Sequence, residues 1–221
     1  MKRKEKLEAV IIAGGQGKRM DSKLPKALTK INRHQSILIF QINYLIASGV
    51  GKIVVALGYK AEEVIPILQN HKEASKIEYV VEKHPRGTAG ALKLALTKIN
   101  SSKVLVLNCD DIANIDIKKL SKINSNVICV AHPRLPFGVV KKIGDTLVFT
   151  EKPILENIWS SCGWYLFQTV FMQDILPAKG MLEYEVFPKI GWLTKYNHKG
   201  YWFPLNSQKD LEDFNKFYKS K

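Results

Sequence analysis

Cysteine is scarce in this 221-residue sequence, and the three present, Cys109, Cys129 and Cys162, are far apart with no Cys-x-x-Cys pair. This argues against a disulfide scaffold and a thiolate zinc site, and fits a reducing, cytoplasmic setting. The five histidines are equally dispersed, with no metal-ligand spacing. No stretch approaches the ~20 apolar residues of a membrane span. The basic start, Met1-Lys2-Arg3-Lys4, leads only into a short apolar run that ends at Gly14-Gly15, so neither a secretory signal nor a membrane partner is expected. Acidic residues are also in deficit, 20 Asp+Glu against 34 Lys+Arg, for a formal charge of +14. That excess suggests anionic partners. The basic residues are mostly scattered lysines with no interleaved aromatics, and no recognition motif accompanies them, so no nucleic-acid partner is expected.

What is present reads as alternation. Short β-branched runs, Val10 to Ala13, Ile53 to Leu57, Ile77 to Val81 and Val104 to Leu107, are separated by segments of helical period. The helical segments are Ser36 to Ser48, Ala61 to Gln69 and Thr88 to Lys98. Strand-helix repetition at this spacing predicts right-handed crossovers and a doubly wound, mostly parallel α/β sheet. After Asp116 the pattern changes: Ile117 to Ile123 reads as a short helix, and Val127 to Ala131, Gly138 to Lys142 and Leu147 to Thr150 read as an antiparallel extension of the sheet. Leu182 to Ile190 and an amphipathic segment started by Ser207 or Asp210 read as later helices. With 46% hydrophobic residues and no linker or repeat, one domain over 1–221 is expected, divided near 116.

The first predicted strand runs into Ala13-Gly14-Gly15-Gln16-Gly17-Lys18-Arg19-Met20, followed by Leu24-Pro25-Lys26. Three glycines in four positions allow a tight turn and bare N–H groups that approach a bulky anion, and Lys18, Arg19 and Lys26 add charge for a polyphosphate. It is not a P-loop, because Ile12 stands where the first glycine should be and Arg19 follows Lys18. It is not a dinucleotide fingerprint either, because Met20 replaces the third glycine. Ligands on such sheets collect at the carboxyl ends of the strands. Two more loops leave strands on that side: Glu82-Lys83-His84-Pro85-Arg86-Gly87-Thr88-Ala89-Gly90 and Asn108-Cys109-Asp110-Asp111. All three are expected to face one cleft. A carboxylate only accepts hydrogen bonds, and guanine offers two adjacent donors, so Glu82 favours GTP over the pyrimidines. Asp110, after a buried strand, suits the Mg²⁺ that accompanies a triphosphate.

The Gly-Gly-x-Gly-x-Arg-Met segment with Pro25-Lys26 resembles the signature of the sugar-phosphate nucleotidyltransferases, as do Pro85-Arg86-Gly87-Thr88-Ala89-Gly90, Glu151-Lys152-Pro153 and Ser161-Cys162-Gly163-Trp164-Tyr165. The resemblance implies the Rossmann-like nucleotidyltransferase fold and transfer of a nucleoside monophosphate from a triphosphate to a sugar 1-phosphate, nearest to the mannose- or heptose-1-phosphate guanylyltransferases. It implies Ala13, Gly14, Gly15, Gly17, Lys18, Glu82, Gly87 and Thr88 around the nucleotide, with Gly87 at the base and Thr88 capping a helix. It implies Arg19, Lys26 and Asp110 at the reacting phosphates, with Asp110 holding Mg²⁺. For the sugar phosphate it implies Asp111, Gly138, Glu151, Lys152 and Gly163. The chain departs from the pattern at Trp202-Phe203-Pro204-Leu205-Asn206, where relatives carry Trp-x-Asp-Ile-Gly with a second metal-binding Asp, and Pro204 has no ligating group. A uridylyl-, cytidylyl- or thymidylyltransferase, a molybdopterin guanylyltransferase and a nucleotide-binding regulatory protein without catalysis remain open, as does a homodimer.

Overall fold

The computed structural model describes residues 5–17, 24–32 and 34–220. Lys18 and Arg19 lie outside the described residues. Strands β1 (Glu8–Ile12), β2 (Lys52–Leu57), β3 (Ile77–Val81) and β4 (Lys103–Asn108) alternate with helices α1 (Ile37–Ala47), α2 (Ala61–Gln69) and α3 (Gly87–Leu96). The short strand β5 (Asp111–Ala113) and the single turn α4 (Ile117–Leu120) follow. Then come β6 (Val127–Ala131), the hairpin strands β7 (Val139–Ile143) and β8 (Thr146–Thr150), the long β9 (Ser160–Gln168) and α5 (Thr169–Ile175). The chain closes with β10 (Thr194–Asn197), β11 (Trp202–Pro204) and α6 (Gln208–Lys219).

The main sheet has seven strands in the order β10-β6-β9-β4-β1-β2-β3. The expected doubly wound core is β3-β2-β1-β4, paired in parallel throughout. Its extension differs from the sequence reading. The antiparallel member is β9, which inserts between β4 and β6, while β10 pairs with β6 in parallel. The hairpin β7–β8 forms a separate two-stranded ribbon rather than joining the sheet. Every residue of β8 is exposed, so its alternation reports a strand but buries neither face. Leu182 to Ile190 is likewise a π-helical segment, Leu182–Val186, followed by a 3₁₀ turn, Phe187–Lys189, rather than one regular helix.

The period of two along each strand divides the core into two layers. Ala9 and Ile11, Ile53, Val55 and Leu57, Leu105 and Leu107, and Trp164 and Leu166 face α1, α2 and α6. Val10, Val54, Ala56, Val104, Val106, Tyr165 and Phe167 face α3 and α5. On the first layer α6 is started by a capping box between Ser207 and Asp210, and it is anchored by Phe214. That ring meets Phe40 edge-on at 5.7 Å and Phe203 at 5.4 Å. The Tyr201-Trp202-Phe203 cluster therefore packs against the core. Because Phe214 is fully buried in this aromatic cluster, Phe214→Ala should cost about 3 kcal/mol. The expected readout is a lower urea midpoint with an unchanged slope; an unchanged midpoint would show that α6 is fixed by something else.

Candidate active site

The carboxyl ends of β1 to β4 are stitched together just where the loops begin. Ala13 N–H donates to Ala56 O at 2.9 Å, Glu82 N–H to Leu57 O at 2.9 Å, and Cys109 N–H to Ile12 O at 3.0 Å. The three loops expected to face one cleft thus leave β1, β3 and β4 at one end of the parallel core. The glycines have different local reasons. A Cβ on Gly14 would lie 2.9 Å from Glu82 Oε2, so Glu82 packs over the glycine loop, and Tyr59 N–H donates to Gly14 O at 3.2 Å. Gly17 has φ +67 and backs onto the Lys26 Cβ, whereas Gly15 faces open space. Glu82 Oε1 accepts the Arg86 N–H at 3.2 Å. Partial burial raises the Glu82 pKa, opposed by that backbone bond and by the Arg86 charge.

Lys26 follows Pro25 into a short 3₁₀ turn, Lys26–Leu28. Its ammonium forms an ion pair with Asp110 Oδ2 and donates to Asn206 Oδ1 at 3.0 Å. One cationic position is therefore faced by a carboxylate and a carboxamide oxygen. Those are the hard donors that Mg²⁺ takes, with phosphate and water completing its shell, so the residues present fit the ion. Among the described residues no group of three or more His, Cys, Asp or Glu gathers at any point. Pro204 pairs with Asp111 in the β5–β11 ladder, and Leu205 N–H donates to Asp110 O at 2.9 Å. The segment expected to bring a second carboxylate is thus in place beside Asp110, carrying a proline.

Asp111 is the fastening point beneath Asp110. Its carboxylate accepts Trp202 Nε1–H at 2.9 Å and Asn108 Nδ2–H at 3.1 Å. Its backbone carbonyl accepts Trp164 Nε1–H at 2.8 Å and Gln41 Nε2–H at 2.9 Å. Gly163, with φ +71, leaves room for this carboxylate, since a Cβ there would lie 1.9 Å from Asp111 Oδ2. Gly163 and Asp111 are thus brought together, and no sequence signal named Gln41.

Gly138 and Glu151 also meet: a Cβ on Gly138 would lie 2.2 Å from the Phe149 ring and 2.9 Å from Glu151 Oε2. Glu151-Lys152-Pro153 lies on a turn after β8, not on a strand, and Lys152 adopts φ 46. Lys152 reaches Asp213 of α6 at 3.9 Å. The Lys209 side chain within hydrogen-bonding reach holds the Lys152 pKa below the usual lysine value. Two ammonium groups side by side form a place for an anion, and Lys209 was not among the residues the sequence singled out. Thr88 is not the N-cap of α3. Arg86 holds that position, because Gly87, at φ +73, already opens the helix. The Thr88 hydroxyl instead accepts Leu182 N–H at 2.8 Å and donates to Glu183 at 3.2 Å. Gly87 packs on the Gly180 carbonyl, 2.3 Å from where a Cβ would stand.

Burial, with the negative Asp110 beside it, raises the Asp111 pKa from 3.8 to about 7. Folded Asp111 keeps its proton between those values while the unfolded chain loses it, so this contribution to stability falls as pH rises through that interval. Each pH unit is worth up to about 1.4 kcal/mol. In Asp111→Asn, the decline in denaturant-measured stability over that interval should flatten relative to the unsubstituted protein, with a chelator present throughout. Equal slopes would mean that Asp111 titrates normally.

The sequence profile described as "Nucleotidyl transferase" matches residues 8–220. The chain is 36% identical over 177 residues to a D-glycero-alpha-D-manno-heptose 1-phosphate guanylyltransferase of Campylobacter jejuni, covering 76% of this chain and 79% of that one. It is 30% identical over 228 residues to a mannose-1-phosphate guanyltransferase of Aspergillus oryzae, covering 93% of this chain and 62% of that one. The chain therefore spans about three fifths of the fungal relative's length. Among solved structures, HddC from Yersinia pseudotuberculosis complexed with GMP-PN superposes with a TM-score of 0.79 at 24% identity, over 96% of this chain and 99% of that one. That is a likeness of fold. With the profile match, the strand order and the loops at one sheet end in agreement, the chain belongs to the nucleotidyl transferase family.

Proposed function

We propose that the chain transfers GMP from GTP to a sugar 1-phosphate, releasing pyrophosphate. The observation that carries this is the Lys26 ammonium set between Asp110 and Asn206 at the end of the glycine loop. In the reaction, an oxygen of the sugar phosphate forms a bond to the α-phosphorus. The bond from the α-phosphorus to the bridging oxygen breaks, and its electron pair leaves with pyrophosphate. Little covalent work falls to the protein, and positioning with charge stabilisation supplies the rate. Lys26 neutralises charge between the α-phosphate and the attacking phosphate, and Arg19 holds the leaving phosphates. Ala13, Gly14, Gly15, Gly17 and Lys18 surround the triphosphate; the open space at Gly15 supports close approach there. Asp110 would hold Mg²⁺, which when bound would neutralise the triphosphate.

Base and sugar follow from the two ends of the cleft. Glu82, with Gly87 and Thr88 behind it, receives the guanine donors, and the named relatives share a guanylyl donor and mannose or a manno-configured heptose. The half from 117 to 221 takes the sugar 1-phosphate. Lys152 and Lys209 receive its phosphate, while Asp111, Gly138, Glu151 and Gly163 line the sugar. The setting is the cytoplasm, in keeping with three buried free cysteines, and among the described residues no helix is long and apolar enough to cross a membrane. A homodimer belongs to the same proposal, supported by exposed Val140, Ile143, Leu147 and Phe149 on the hairpin. Pro204 favours a second reading, a nucleotide-binding regulatory protein that has lost turnover.

The test is a matrix of four nucleoside triphosphates against mannose, heptose and N-acetylhexosamine 1-phosphates with Mg²⁺, read as pyrophosphate release. GTP with a manno-configured sugar phosphate should turn over. Turnover with UTP but not GTP would sink the role of Glu82, and triphosphate binding without turnover would establish the regulatory reading. Lys26→Ala should lower kcat on the order of 10³-fold; a near-unchanged rate would remove Lys26 from the reacting centre.

A further inference from the structure

Pro204 lies opposite Asp111 in the β5–β11 ladder and has no side-chain donor to offer beside Asp110. The backbone just after it is nonetheless held against the acidic loop, because Leu205 N–H donates to Asp110 O at 2.9 Å. Asn206 comes next, and its own N–H donates to Asp210 Oδ2 at 3.0 Å, inside the capping box that starts α6. Its position is therefore set by the helix start rather than by a loose loop. From there its Oδ1 accepts the Lys26 ammonium at 3.0 Å, the same ammonium that pairs with Asp110 Oδ2. Lys26 and Asp110 are only partly exposed, their side chains retaining 15% and 29% of their surface, so these oxygens face one cation position inside the cleft.

A hard cation needs oxygen donors converging on one point, and a carboxamide oxygen serves as a neutral donor where a carboxylate serves as a charged one. We propose that Asn206 Oδ1 supplies the second protein oxygen of the metal position, two residues beyond the proline that stands where the family carboxylate is expected, with Asp110 as its partner. The Lys26 ammonium marks that position in the metal-free protein. Exchanging a carboxylate for an amide lowers the negative charge of the site, so the free enzyme binds a divalent ion weakly and takes it up chiefly with the polyphosphate. The inference rests on the nucleotidyl-transfer reading for its purpose, but its test does not require turnover.

The test is Mn²⁺ binding, read by the electron paramagnetic resonance signal of free Mn²⁺, in the nucleotide-free protein and with a non-hydrolysable guanosine triphosphate analogue. Asn206→Asp, which keeps size and can still accept from Lys26, should tighten Mn²⁺ binding to the nucleotide-free protein about tenfold. Asn206→Ala should weaken Mn²⁺ binding in the analogue complex by about the same factor. If Asn206 only holds Lys26, both variants will bind Mn²⁺ as the unsubstituted protein does, and the proposal is overturned even if Asn206→Ala slows catalysis. Unchanged thermal unfolding in Asn206→Ala separates ligand loss from misfolding. A protein that releases no pyrophosphate yet shows both Mn²⁺ shifts keeps this assignment and loses the guanylyl reading; one that turns over GTP without the shifts does the reverse.

Discussion

Lys26 and Asp110 stand 84 residues apart, and the ion pair between them joins the segment after the glycine loop to the end of β4. Asn206 extends the same junction to the start of α6. Three parts of the chain with no local reason to meet are thereby fixed around one cation position. Burying part of an ammonium is costly unless oxygen acceptors surround it, so this junction depends on each of its members. The layers below supply the rigidity. Gln41 of α1 and Trp164 of β9 hold the backbone of Asp111, while Trp202 and Asn108 hold its carboxylate. Asp110 thus projects from a residue bonded on four sides.

The same arrangement explains why the site is polarised. The β1 to β4 ends present backbone N–H groups and glycines, which suit a polyphosphate, and Glu82 crosses over Gly14. On the other side, Lys152 and Lys209 place two ammonium groups against the first turn of α6. On the proposed reading, an anion on each side of Lys26 would be the arrangement that an in-line displacement between two phosphates requires. The net charge of +14 is consistent with anionic substrates on both sides.

The parallel core was legible in the sequence because β1, β2 and β4 are buried on both faces and read as apolar, β-branched runs between helical segments. The glycine loop, Glu82 and Asp110 were legible because strand ends on such a sheet all point to one rim. Other features depended on pairings that sequence spacing does not record. Alternation identified β7 and β8 as strands but not that they form a ribbon off the sheet, and nothing local reveals that β9 inserts between β4 and β6. Thr88 has the sequence of a cap but is not one, because Gly87, at positive φ, already starts the helix. Asn206 and Lys209 were passed over because each becomes part of the site only through a partner far along the chain.

The most direct measurement is the rate of GTP-dependent pyrophosphate release by Asp110→Asn at saturating GTP, sugar 1-phosphate and Mg²⁺. This substitution removes one charge from the junction and almost no volume. The account predicts a fall on the order of 10³-fold, measured under conditions where the variant remains folded. Retention of the rate within about twofold, where a carboxylate essential to charge balance has been neutralised, would contradict it.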